Sequence, residues 1–84
     1  MLRMTTIITD AQKVIFLLEG KIINPWVEEI NKECQKHFSI YEKLILDVSQ
    51  VSFVDEEGVK LLKNLIKDKV ELVGCSLFLS KLLS

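Results

Sequence analysis

The chain has 84 residues, of which 49% are apolar and 27% charged, and its formal net charge is −1. This fits one small domain and sets intrinsic disorder aside. A near-neutral balance with Arg3 as its single arginine lacks the footprint of a nucleic-acid binder, and the five-residue apolar run "VIFLL" is too short to span a bilayer, so no direct membrane insertion is expected.

In chain order, "MTTIIT" and "KVIFLLEG" are β-branched and apolar runs separated by "DAQ", which predicts an opening β-hairpin over residues 1–20 with Gly20 closing the second strand. The start "MLRMTTIITDAQK" alternates polar with apolar residues and meets Asp10 before any long apolar run, so no secretory leader is expected. Residues 24–38 read as a first helix, with Asn24 as N-cap and Pro25 at the first helical position. Trp26, Val27, Ile30, Cys34 and Phe38 recur there at helical spacing. Glu28 and Glu29 suit the positive N-terminus, and Glu28 stands one turn from Lys32. His37 is expected on the surface near the C-terminal end.

"EKLILDVS" is apolar on both faces, which suits a strand in the middle of a sheet. "QVSFVD" leads into a second helix over residues 56–67. On it Val59, Leu62, Leu65 and Ile66 share a face bordered by Leu61, with Lys60, Lys63 and Lys67 opposite. "VELVG" predicts a short fourth strand. A last helix over residues 76–84 follows, capped by Ser76 and striped by Phe78, Leu79, Leu82 and Leu83, which are expected to cover the sheet. An exposed part of that stripe would offer a protein-docking or homodimer contact. The order β-β-α-β-α-β-α predicts a single α/β domain over residues 1–84: a mixed four-stranded sheet with an antiparallel opening hairpin, parallel later strands and three packed amphipathic helices.

The chemistry-bearing feature is "VSFVDEEGVKLL", residues 51 to 62, where Asp55, Glu56 and Glu57 crowd the start of the second helix and Gly58 follows. Asp55 is read as an N-cap, and acids in a first turn are favourable by about 0.3–1 kcal/mol each. The three carboxylates project about 100° apart on a helix, which makes a convergent metal site or acid–base pair a poor fit. No nucleophile–base–orienter set and no phosphate-cradling glycine loop accompanies them, so neither enzymatic activity nor a cofactor is expected. Cys34 and Cys75 make no disulfide framework and no zinc set, and they are read as reduced thiols of a cytoplasmic protein.

"LEGKI", then a helix, then "LILDVSQVSFVDEEGVKLL", then "VELVG" resembles the STAS domain, the family named after sulfate transporters and anti-sigma factor antagonists. Its pattern carries a "V-x-F-[IV]-D-S-S-G" loop that opens the second helix, and the likeness runs over residues 14 to 83. The resemblance implies a regulatory binding module. In bacterial antagonists of the family, a serine of this turn accepts phosphate from an ATP-dependent anti-sigma kinase, and the unmodified form binds that partner. Asp47 matches the acid at the end of the central strand, Asp55 the acid of the loop, Gly58 its glycine, and Glu57 the phosphoacceptor position. Both serines are glutamates here, so the resemblance implies a turn locked in charge at Glu57 rather than switched, unless Ser49 or Ser52 is modified instead. The expected contact surface is Asp55, Glu56, Glu57 and Gly58 with Lys60, Lys63 and Asn64, and Gly58→Arg is expected to abolish binding with little loss of fold. A role as accessory subunit that binds the ATPase of a lipid-transporting ABC system, or as a nucleotide or lipid sensor, is the alternative.

Overall fold

The computed structural model describes residues 2–10 and 12–84. Seven elements follow in order: β1 (Leu2–Ile8), β2 (Lys13–Ile22), α1 (Trp26–Ile40), β3 (Lys43–Val54), α2 (Glu56–Lys67), β4 (Glu71–Val73) and α3 (Leu77–Leu83). The strands form one sheet in the order β1-β2-β3-β4, with β1 antiparallel to β2 and the other neighbours parallel. The expected α/β class and mixed four-stranded sheet are what forms.

Two β-α-β crossovers step in the same direction across the sheet. Right-handed connections therefore put α1 and α2 on the same face. The strands show it: Val14, Phe16, Leu18 and Ile22 of β2 and Leu44, Leu46 and Val48 of β3 are buried, whereas Ile15 and Leu17, which alternate with them, are half-buried. α3 packs beside α2 and buries Leu79 in the same core. Each fully buried side chain of this layer, such as Phe16, Ile30 or Leu62, contributes about 1.5–3 kcal/mol.

The hairpin closes without a glycine. The Asp10 carboxylate accepts from the Gln12 N–H at 2.7 Å, and the Thr9 hydroxyl donates to the Lys13 carbonyl at 3.0 Å. Such a side-chain bond to the backbone two residues on does the work of a turn residue.

Several expectations are corrected. Gly20 does not end β2; it sits inside the strand at φ 106, where the register with β3 shifts between Gly20 and Lys21, and pairing resumes to Ile22. α1 spans residues 26–40 rather than 24–38, and Asn24 supplies no side-chain cap. His37 is buried, not on the surface. It continues the Ile30–Cys34 stripe, packs edge-on to Phe16 with ring centroids 5.2 Å apart, and its Nε2 lies 3.4 Å from Thr6 Oγ1. The buried face of α2 is Gly58, Leu61, Leu62 and Leu65; Leu61 borders it as expected, whereas Ile66 is exposed rather than part of it. α3 runs from Leu77 to Leu83 with Ser76 as its cap, the hydroxyl accepting from Leu79 N–H at 3.1 Å; Phe78 stays exposed.

Candidate functional site

The carboxyl ends of the parallel strands β2 and β3 lie side by side, and each feeds a helix. A crevice at such a place is where open α/β sheets put their ligands. Here it is built around Asp55, whose extended backbone makes it the N-cap of α2. Its Oδ1 accepts from Gly58 N–H at 2.7 Å, and its Oδ2 accepts from the Asn24 N–H at 2.9 Å. Its own N–H donates to the Ile22 carbonyl at 3.0 Å. One residue therefore caps α2 and ties the start of the β2–α1 connection to it.

Gly58 is part of the same construction. A β-carbon there would stand 2.6 Å from Val54 Cγ1, 2.7 Å from the Ile22 carbonyl oxygen and 2.9 Å from Ile22 Cγ2. The helix thus presses its backbone against the strand ends, and only a residue without a side chain permits it. This corrects the expectation that Gly58→Arg costs little of the fold: Gly58 is buried, and any side chain there meets Val54 and Ile22 first.

Glu56 and Glu57 are exposed on the first turn. Glu57 Oε1 and Lys60 Nζ lie 3.4 Å apart, a pair one turn apart on the helix. Residues 57, 60, 61 and 64 form a stripe along α2, and α1 faces it with Val27, Glu28 and Asn31, with Asn24 just ahead of the helix. Together they line a groove of about 480 Å³. Val27 and Leu61 make it partly apolar, whereas three amides, two carboxylates and one ammonium make the rest polar. Of the residues expected at the contact surface, the structure gathers Glu57, Lys60 and Asn64 at this groove. Glu56 and Lys63 are exposed outside it, and Asp55 and Gly58 lie beneath as framework.

Sequence reasoning missed the α1 wall. Asn24, Val27, Glu28 and Asn31 recur at helical spacing, a signal present in the sequence, but nothing local says which helix face meets α2. Asp47 is half-buried within β3, where its Oδ1 accepts from the Ser49 N–H at 2.9 Å at the irregularity in strand pairing. Ser49 and Ser52 are exposed, and the Ser52 hydroxyl donates to the Gly20 carbonyl at 3.3 Å. Burial, helped by the Glu33 charge, pushes the Cys34 thiol up to about 12; burial also raises that of Cys75. Both are free thiols. Among the described residues no three His, Cys, Asp or Glu side chains converge as a metal site, and no helix is long and apolar enough to cross a membrane.

The family model described as STAS domain matches residues 3–83. Among solved structures, the anti-sigma factor antagonist SpoIIAA in its unphosphorylated form superposes with a TM-score of 0.77 at 18% identity, covering 94% of this chain and 79% of that one. An anti-sigma factor antagonist STAS domain from Rhodobacter sphaeroides gives 0.68 at 21% identity, over 87% of this chain and 86% of that one. An uncharacterized protein from Shewanella loihica with a SpoIIAA-like fold gives 0.63 at 10% identity, over 92% and 69%. No curated protein sequence matches significantly.

Proposed function

The chain belongs to the STAS domain family, and we propose that it is a regulatory protein-binding module of the anti-sigma factor antagonist kind. Its contact surface is the exposed side of α2, with Glu56, Glu57, Lys60, Lys63 and Asn64, together with the α1 wall of the groove. The observation that carries this reading is the placement of Glu57. It stands exposed at the mouth of the groove on a helix start that Asp55 and Gly58 hold rigid from below.

Glu57 also holds the family's phosphoacceptor position in the sequence pattern. A phosphoserine at a helix start carries about −1.5 to −2 charges and a glutamate about −1. The turn is then a weaker, permanent version of the charged state, and regulation by phosphoryl transfer at this position is lost. Asp55 spends both carboxylate oxygens on backbone N–H groups and Glu57 stands beside Lys60, so these acids serve structure and recognition rather than proton transfer.

The test is a titration, followed by calorimetry, of the chain into an ATP-dependent anti-sigma kinase from the same cells. The expected outcome is binding that weakens at least about tenfold in Glu57→Lys, because reversing a charge at an interface centre sets like charges together. Incubation with that kinase and labelled ATP should leave the chain unlabelled. Binding instead to the ATPase subunit of a lipid-transporting ABC system, or transfer of label to Ser49 or Ser52, overturns this reading.

A further inference from the structure

The two edges of the sheet are protected very differently. β4 is three residues long, and its Glu71 lies 3.4 Å from Lys43 on the neighbouring strand. Short length and charge are the usual ways of keeping an edge from pairing with another chain. β1 has neither. It runs seven residues, pairs with β2 in unbroken register from Leu2↔Gly20 to Ile8↔Val14, and contains no proline, lysine or bulge. Among the described residues nothing pairs with its outer side.

The far end of that edge is apolar and open. Ile7 is 45% exposed and Ile8 63%. The contact between His37 and Thr6 brings the last turn of α1 over the same end of β1, and that turn carries Ile40, 67% exposed. Three isoleucines thus flank a strand whose outer edge pairs with nothing among the described residues.

We propose that the outer edge of β1 is a self-association site, on which β1 of a second copy of this chain adds antiparallel about a two-fold axis through Thr5. Charge and sequence order fit two copies paired antiparallel. Arg3 is the only charge on the strand, and it lies at the end opposite the isoleucines, 3.9 Å from its own Glu19. Antiparallel addition keeps the two guanidiniums at opposite ends, whereas parallel addition would set them side by side. Residues that face each other in an antiparallel pair share a face of the sheet. Centred on Thr5, Leu2 meets the second copy's Ile8, Met4 meets its Thr6, Arg3 meets its Ile7, and Thr5 meets its own equivalent. Apart from Arg3 against Ile7, these are apolar and β-branched partners, the kind that stabilise cross-strand pairs. The contact is isologous, so it consumes the edge and closes at two copies. A seven-residue edge with three isoleucines falls short of the roughly 800 Å² per partner of a standard interface, so the dimer is weak and forms with rising concentration.

The edge is one strand away from β3 and does not include α2, so the dimer stands or falls independently of the partner surface proposed above. Sedimentation of the full chain over a concentration series tests it, with backbone amide spectra recorded alongside. The expected result is a weight-average mass that doubles and then stops, with the shifting amides confined to residues 2–8 and the end of α1. Thr5→Glu and Thr5→Lys place like charges opposite each other on the axis, so each should remain a single chain at every concentration. An equimolar mixture of the two should recover the doubled mass. Matching circular dichroism melts establish that both variants fold, and Ile7→Lys serves as a third probe of the same edge if they do not. A wild-type mass that stays at one chain, growth beyond two copies, or a doubled mass indifferent to these substitutions overturns the proposal. So does amide protection of β1 that arises only when a different protein is added.

Discussion

Two strand-to-helix junctions stand side by side at the carboxyl ends of β2 and β3, and they are secured unequally. At the β3–α2 junction, Asp55 caps the helix with its own side chain and Gly58 lets the helix backbone close on the strands. At the β2–α1 junction no side chain caps the helix; the Asn24 N–H is held from outside, by Asp55 Oδ2, and the Ile22 carbonyl accepts from Asp55 N–H. One connection is self-sufficient and the other leans on it. The difference explains why the exposed acids can be so crowded: the residue that looks like part of an acidic cluster is the framework for both walls of the groove, and only Glu56 and Glu57 are left facing outward.

The harshest way to break this arrangement is at Gly58. At an open helical position, replacing glycine by alanine gains about 1 kcal/mol in helix propensity. Here the new β-carbon meets Val54 Cγ1 at 2.6 Å and the Ile22 carbonyl oxygen at 2.7 Å, and backbone cannot move aside as a flexible side chain does. Overpacking of this kind costs about 1–3 kcal/mol, so the sign reverses. Denaturant unfolding of Gly58→Ala should show a lower midpoint than wild type, and Gly58→Arg should fail to give a cooperative transition. A Gly58→Ala protein as stable as wild type would dissolve the close contact between α2 and both strand ends.

Much of this was legible in the sequence, and the exceptions share a cause. The element order, the span of α2 and the capping roles of Asp55 and Ser76 follow from local chemistry: alternation, helical spacing and a polar residue ahead of an apolar run. Asn24 and His37 depart from their local signals because their roles are set across the fold. Asn24 has good capping chemistry, yet its backbone N–H is taken by a carboxylate 31 residues away. His37 is polar and stands near a helix end, yet it lies one turn beyond Cys34 on the face that meets Phe16. The groove was half legible for the same reason. Glu57, Lys60 and Asn64 stood out through the motif they follow, while Glu28 and Asn31 acquire meaning only once α1 is laid beside α2.

A gentler substitution sharpens the inequality of the junctions. Asp55→Ala removes a helix cap and a bond to a second segment, together roughly 1–3 kcal/mol. Asn24→Ala removes a side chain that caps nothing, and its effect should fall within about 0.5 kcal/mol of zero. Equal losses in the two variants, measured by denaturant unfolding, would mean that α1 is capped by Asn24 after all.

Cys34 turns the same contrast into a local measurement. It is fully buried on α1, and burial raises its thiol from 9.0 to about 12, whereas Cys75 is exposed. A thiol reagent at pH 8 should therefore titrate Cys75 quickly and reach Cys34 only when α1 lifts from the sheet. The sign of the linkage agrees: the unfolded thiol ionises first, so this contribution to stability is complete below pH 9 and is lost as pH rises toward 12. If α1 depends on Asp55, then Asp55→Ala should speed the labelling of Cys34 in the native state by more than its global destabilisation accounts for. Asn24→Ala should leave the Cys34 rate unchanged, because the bond it retains is a backbone N–H to the same carboxylate. Acceleration in Asn24→Ala alone would reverse the assignment and make the β2–α1 connection, rather than Asp55, the part on which the groove depends.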